Sequence, residues 1–101
     1  MAVVEISVTP LGTTSPGVSS YVAGCLQIVE ASGLKHQLTP MGTVIEGDLD
    51  DILRVVRSMH ESPFRIGAMR VSTLIKIDDR RDRAEHTMAG KIKSVETKRK
   101  S

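Results

Sequence analysis

Residues 70–83 read RVSTLIKIDDRRDR, and the fold follows from how this stretch is read. Val71, Thr73, Ile75 and Ile77 alternate with Ser72, Leu74, Lys76 and Asp78, the period of two that a pleated strand requires. The first row is β-branched throughout and suits a buried face. The second row mixes a hydroxyl, a leucine, an ammonium and a carboxylate. Water alone would not favour Leu74, and a dry core would not favour Lys76. Such a row predicts a sheet surface covered by something partly polar, either a ligand or another subunit. The strand then runs into six consecutive charges, Asp78 to Arg83.

Upstream, AVVEISVT (2–9) alternates in the same way, with Val4, Ile6 and Val8 as the apolar row. PLGTTSPG (10–17) is a loop dense in breakers. Ser15 before Pro16 fits a helix start, with Ser19 as a second cap. Val18, Tyr21, Val22, Cys25, Leu26 and Val29 follow helical spacing, and Ser32-Gly33 closes that helix. LKHQLT (34–39) and TVIEG (43–47) flank the tight connection Pro40-Met41-Gly42 and predict a hairpin. Asp48 is placed to cap a second helix, whose stripe is Leu49, Ile52, Leu53, Val56 and Met59 and which Ser62-Pro63 stops. Beyond the charge run, Thr87 can cap a last helix carrying Met88, Ile92 and Val95. That stripe is thin, which predicts burial borrowed from a neighbouring subunit.

The expected order is β-α-β-β-α-β plus a C-terminal helix. This is an α+β, ferredoxin-like antiparallel sheet with two helices on one face. Its other face is left open. A lone domain does not comfortably expose Val3, Val44 and Leu74 together, so association through that face is expected.

The totals agree with one domain over residues 1–101, its last part (87–101) a terminal helix and basic tail. Hydrophobic residues make up 40% and charged residues 26%, ordinary values for a globular chain. Tyr21 and Phe64 are the only aromatics, so the core must be aliphatic. One cysteine excludes an intramolecular disulfide and a cysteine metal cluster. No signal-like segment opens the chain and no apolar run has membrane-spanning length, so a cytoplasmic protein with no membrane contact is expected. Net charge is +2, but residues 1–75 carry five basic and seven acidic side chains whereas 76–101 carry nine basic and five acidic. A solvated terminus and an anion contact both fit that asymmetry.

Four segments carry a resemblance: SVTPLGTTSPGVSSYVA (7–23), GLKHQLTPMGTVIEGD (33–48), RVSTLIKIDDRRD (70–82) and HTMAGKIKSVE (86–96). Together they resemble the small thiamine-binding, MTH1187-like family (UPF0045, DUF77) over nearly the whole chain. The pairing of TPMGTVIEG with STLIKIDDRRD is the specific part. The resemblance implies a ferredoxin-like fold and assembly into homotetramers, or dimers of dimers, through sheet faces. It further implies binding of thiamine or its hydroxymethylpyrimidine moiety, with no required cofactor and no catalysis. Where this chain has Leu74 the family more often carries Ser or Thr, which implies a drier pocket or no polar contact there.

Thiamine presents an aminopyrimidine edge, a cationic thiazolium and a hydroxyethyl tail. Glu46 shares a strand face with Val44 and is placed either to meet the amine or cation or to pair with Lys76. Thr39, Thr43, Ser72 and Thr73 offer hydroxyls which, converging with Gly42, would form a pocket. Ser19 matches a family position beside the first helix start, and Met41 can lie flat against a heteroaromatic ring or join the core. The expected ligand set is thus Ser19, Thr39, Met41, Gly42, Thr43, Glu46, Ser72, Thr73 and Lys76. Leu74, Asp78, Asp79, Arg80 and Arg81 are expected at an interface between subunits. Cys25 reads as a buried, inert thiol.

Two other classes compete. His36, His60 and His86 fall in no metal or nucleophile motif, so no catalytic or metal residue is assigned. Ferredoxin-like sheets that bind RNA use aromatics on the open face, and no aromatic lies on any expected strand, which disfavours nucleic acid. A purely structural oligomer also fits the residues.

Overall fold

The computed structural model describes residues 1–12 and 19–82, together with Ile92, Val95 and Arg99. Its elements are β1 (Ala2–Pro10), α1 (Ser19–Ala31), β2 (Lys35–Thr39), β3 (Gly42–Gly47), α2 (Leu49–Arg65) and β4 (Val71–Asp79). They form one antiparallel sheet of order β2-β3-β1-β4. The expected ferredoxin-like α+β order is therefore present. The Ser15-Pro16 helix start, Val18 and Thr87 lie outside the described residues, as does all of 87–101 except the three named.

Alternation decides which side of the sheet is dry. Val4 stands opposite both Ile45 and Ile77, and Ile6 opposite both Thr43 and Ile75. Ala2, Val4, Ile6 and Ile45 meet Cys25, Val29, Ile52, Val56 and Met59 from the two helices in one core. Ile6, Ile45, Ile52, Met59, Val4 and Val29 have almost no accessible surface. Complete burial of such side chains is worth about 1.5–3 kcal/mol each in transfer free energy, so this layer, mainly aliphatic and joined by the buried Tyr21 of α1, stabilises the domain.

Several expectations are corrected. The β-branched row of β4 is not buried: Ile75 is 41% and Ile77 46% exposed. β4 is an outer strand of the sheet, and α2 covers it only in part, its His60 Nδ1 lying 2.6 Å from the Thr73 hydroxyl. Val22 and Leu53, on the expected helix stripes, are exposed because each sits at the rim of its stripe. Asp48 occupies the N-cap position of α2 but makes no side-chain capping hydrogen bond. Its backbone carbonyl takes the amide of Ile52 instead (3.0 Å).

Ser62-Pro63 does not stop α2, which continues to Arg65 with both residues buried. A proline inside a helix withholds the amide that would bond the carbonyl four residues earlier, here that of Met59. The thiol of Cys25 on α1 donates to that oxygen at 3.4 Å. A neighbouring helix thus takes up the acceptor that Pro63 leaves, and the last turn persists. Gly67, at φ +105, then turns the chain toward β4.

Candidate functional site

The hairpin between β2 and β3 builds one wall of a cavity of about 290 Å³. Thr39 holds the turn together. Its hydroxyl donates to Gly42 O (3.0 Å) and accepts from the amide of Met41 (3.2 Å). Gly42 is required by a close approach, since a Cβ there would stand 2.5 Å from the backbone oxygen of Ile6. The opposite wall is α1, which presents Val22, Cys25 and Leu26, and Met59 of α2 contributes as well. The result is an apolar slot with the Thr39 and Thr43 hydroxyls at the hairpin. Burial pushes the Cys25 thiol pKa up, so the thiolate is disfavoured there.

The other sheet face holds a second, shallower cavity of about 360 Å³, lined by Val3, Glu5, Gln37, Thr39, Val44, Lys76, Asp78 and Ile92. Here charge is abundant. Register places Lys76 opposite Glu5, and Glu46 opposite both Val3 and Lys35. Glu46 is accordingly paired with Lys35 (3.4 Å) and not with Lys76, and it is only 6% exposed. Val3 on this face is also buried, Val44 is half-buried, and Leu74 is 72% exposed. The expected joint exposure of Val3, Val44 and Leu74 is thus true of Leu74 alone.

The nine expected ligand residues do not converge. Thr39, Met41, Gly42 and Thr43 border the hairpin cavity. Thr39 and Lys76 border the opposite one. Ser72 and Thr73 lie on β4, separated from β3 by β1, and Glu46 lines neither cavity. Ser19 begins α1. Neither of these two cavities unites Thr39 and Thr43 with Ser72 and Thr73. Val22, Cys25, Leu26 and Met59 were absent from the expected set because helical spacing marks them as core. Their continuation toward the hairpin tip was the only signal available. In the charge run, Arg80 pairs with Asp82 (2.6 Å) and Arg81 with Asp79 (2.9 Å) within one chain. The first contact raises the Arg80 pKa.

Four antiparallel strands under two helices, with a half-open apolar slot at the hairpin end, define a ferredoxin-like α+β domain that carries a cavity near small-molecule size. The chain belongs to the thiamine-binding protein family, UPF0045, whose family model matches residues 4–96. It is 48% identical to the UPF0045 protein YqgV of Bacillus subtilis over 94% of each chain. A UPF0045 protein of Methanothermobacter thermautotrophicus is 39% identical, over 97% of this chain and 99% of its own. The crystal structure of protein MJ1052 from Methanocaldococcus jannaschii superposes with a TM-score of 0.82 at 38% identity, over 93% of this chain and 94% of that one.

Proposed function

We propose that this chain is a non-catalytic binding protein for thiamine or its hydroxymethylpyrimidine moiety, acting as a homo-oligomer in the cytoplasm. Membership of the thiamine-binding family supports the ligand class. The observation that carries the site is that the TPMGT residues Thr39 to Thr43 wall a half-open cavity of about 290 Å³. That volume is near the lower bound of small-molecule sites, ~300 Å³, and suits a pyrimidine ring better than a bulky ligand. The ring lies between Leu26 and Met41, with Thr39 and Thr43 as hydrogen-bonding partners. Polar groups in such walls confer orientation while the apolar surface confers affinity.

The charged cavity on the opposite face supports a second reading, because Glu5 and Asp78 border it and the thiazolium is a cation. Calorimetric titration with thiamine and with hydroxymethylpyrimidine separates the two. Leu26→Phe, which narrows the hairpin cavity, is expected to weaken binding at least tenfold, about 1.4 kcal/mol, with unchanged circular dichroism. Glu5→Ala and Glu46→Ala are expected to leave affinity within twofold. The reverse pattern moves the ligand to the other face. No heat with either compound returns the cavity to an unidentified occupant.

A further inference from the structure

Three sulfur-bearing side chains border the hairpin cavity: Cys25, Met41 and Met59. Two of them are shielded, since Cys25 is buried and Met59 has almost no accessible surface. Met41 is different. It lies in the turn between the paired residues Thr39 and Gly42 and is 78% exposed. Its amide donates to Thr39 Oγ1 (3.2 Å), and that hydroxyl donates to Gly42 O (3.0 Å). The turn therefore keeps the Met41 thioether on the cavity wall and within reach of solvent. Exposure decides which sulfur an oxidant meets. Met69 is more exposed (91%) and Met1 is exposed too, but neither borders the hairpin cavity. Cys25 borders it, yet burial disfavours the thiolate that a peroxide attacks. Among the described methionines, Met41 is the one that is both exposed and on the cavity wall.

We propose that Met41 is an oxidation site that governs the hairpin cavity: a peroxide converts its thioether to the sulfoxide, and the sulfoxide weakens binding of an aromatic ligand. One oxygen atom passes to sulfur. The O–O bond breaks, an S–O bond forms, sulfur gives up two electrons, and the other peroxide oxygen leaves as water. A flexible apolar group thus becomes a polar, chiral one beside Val22, Leu26 and Leu38. The sulfoxide oxygen is a strong acceptor that water satisfies in the free protein, and a ring entering the slot takes that water away. Thr39 does not replace it, because its hydroxyl proton is already given to Gly42 O. The favourable contact of a thioether with a ring is lost as well. Two thiols reverse the change, yielding thioether, disulfide and water. This inference rests on the proposed ligand class, because its effect is read through a flat heteroaromatic ring.

The test treats full-length protein with hydrogen peroxide. Peptide mass spectrometry reads the oxygen gained at each methionine, and calorimetry titrates hydroxymethylpyrimidine before and after. Met41 and Met69 should each take up one oxygen ahead of Met59. The affinity of wild type should then fall about fivefold or more, with unchanged circular dichroism. Methionine sulfoxide reductases of both epimer specificities, supplied with a dithiol, should restore it. Met69→Leu should lose affinity on oxidation as wild type does. Met41→Leu, whatever affinity it starts from, should be unmoved by peroxide. Met41→Gln, which carries a polar oxygen without oxidation, should bind less tightly than Met41→Leu. Wild type that keeps its affinity with Met41 oxidised, or Met41→Leu that loses as much as wild type, overturns the oxidation site alone. No binding before peroxide overturns the ligand reading, and the control by Met41 with it.

Discussion

Cys25, Met59 and Pro63 show how single residues set local energetics in this chain. The thiol is buried, donates to Met59 O and lies on the cavity wall. Cys25→Ala leaves that carbonyl without its thiol and enlarges the slot. We expect a loss of about 1–3 kcal/mol in urea unfolding. Burial raises the folded-state pKa of Cys25 above its ordinary value of 9.0. A raised pKa means that the associated stability is fully present below the unfolded-state pKa and is lost as pH rises through the folded one. Wild type should therefore lose more stability than Cys25→Ala above about pH 9, read as the difference between their pH profiles. Native Cys25 should also react with a disulfide probe at pH 8 far more slowly than the urea-unfolded thiol, since the thiolate is the nucleophile. At Gly42 the constraint is steric. A Cβ would press on the Ile6 backbone oxygen, so Gly42→Ala should open the hairpin, at a cost of about 1–3 kcal/mol. Thermal unfolding and cavity binding should fall together.

The helices and strands show where local propensity yields to context. α2 continues past Ser62-Pro63 because its last turn is buried and because Cys25 supplies the donor that proline withholds. This relation is testable as a double-mutant cycle. Pro63→Ala restores an amide to Met59 O, so the double variant with Cys25→Ala should be less destabilised than the two single changes together predict. A coupling of about 0.5–1.5 kcal/mol in urea unfolding is expected, and strict additivity would show that the thiol does not substitute for the amide. β4 shows the converse. Its β-branched row makes it a strand, but an outer strand that α2 covers only in part keeps Ile75 and Ile77 in partial contact with water.

At the scale of the whole molecule, charge and aromatic content bear on partners. The basic excess belongs to residues 76–101, while the described strands carry no aromatic: Tyr21 lies on α1 and Phe64 on α2, the latter edge-on to His60. Stacking platforms for single-stranded RNA are thus missing from the described sheet. Labelled single-stranded RNA should show no shift at 50 mM salt. A salt-sensitive shift would assign the basic terminus to nucleic acid. No helix among the described residues is long and apolar enough to cross a membrane.

Periodicity alone determined the element order, the hairpin at Pro40-Met41, and the core rows of β1, β3 and α2, because alternation at two and at 3.6 residues is a local property of the chain. The tight turn at Pro40-Met41-Gly42 was equally legible from its breakers, whereas a binding role for Thr39 to Thr43 followed from the family resemblance. Strand order was not local. It placed β1 between the hydroxyls of β3 and those of β4, and Thr39 and Thr43 border the hairpin cavity while Ser72 and Thr73 do not. It also set Glu46 beside Lys35 instead of Lys76 and left the apolar row of β4 half uncovered. Burial of a strand face depends on what lies over it, and the partner of a charge depends on which strand lies beside it. Both are distances between segments far apart in sequence, and only the tertiary structure decides them.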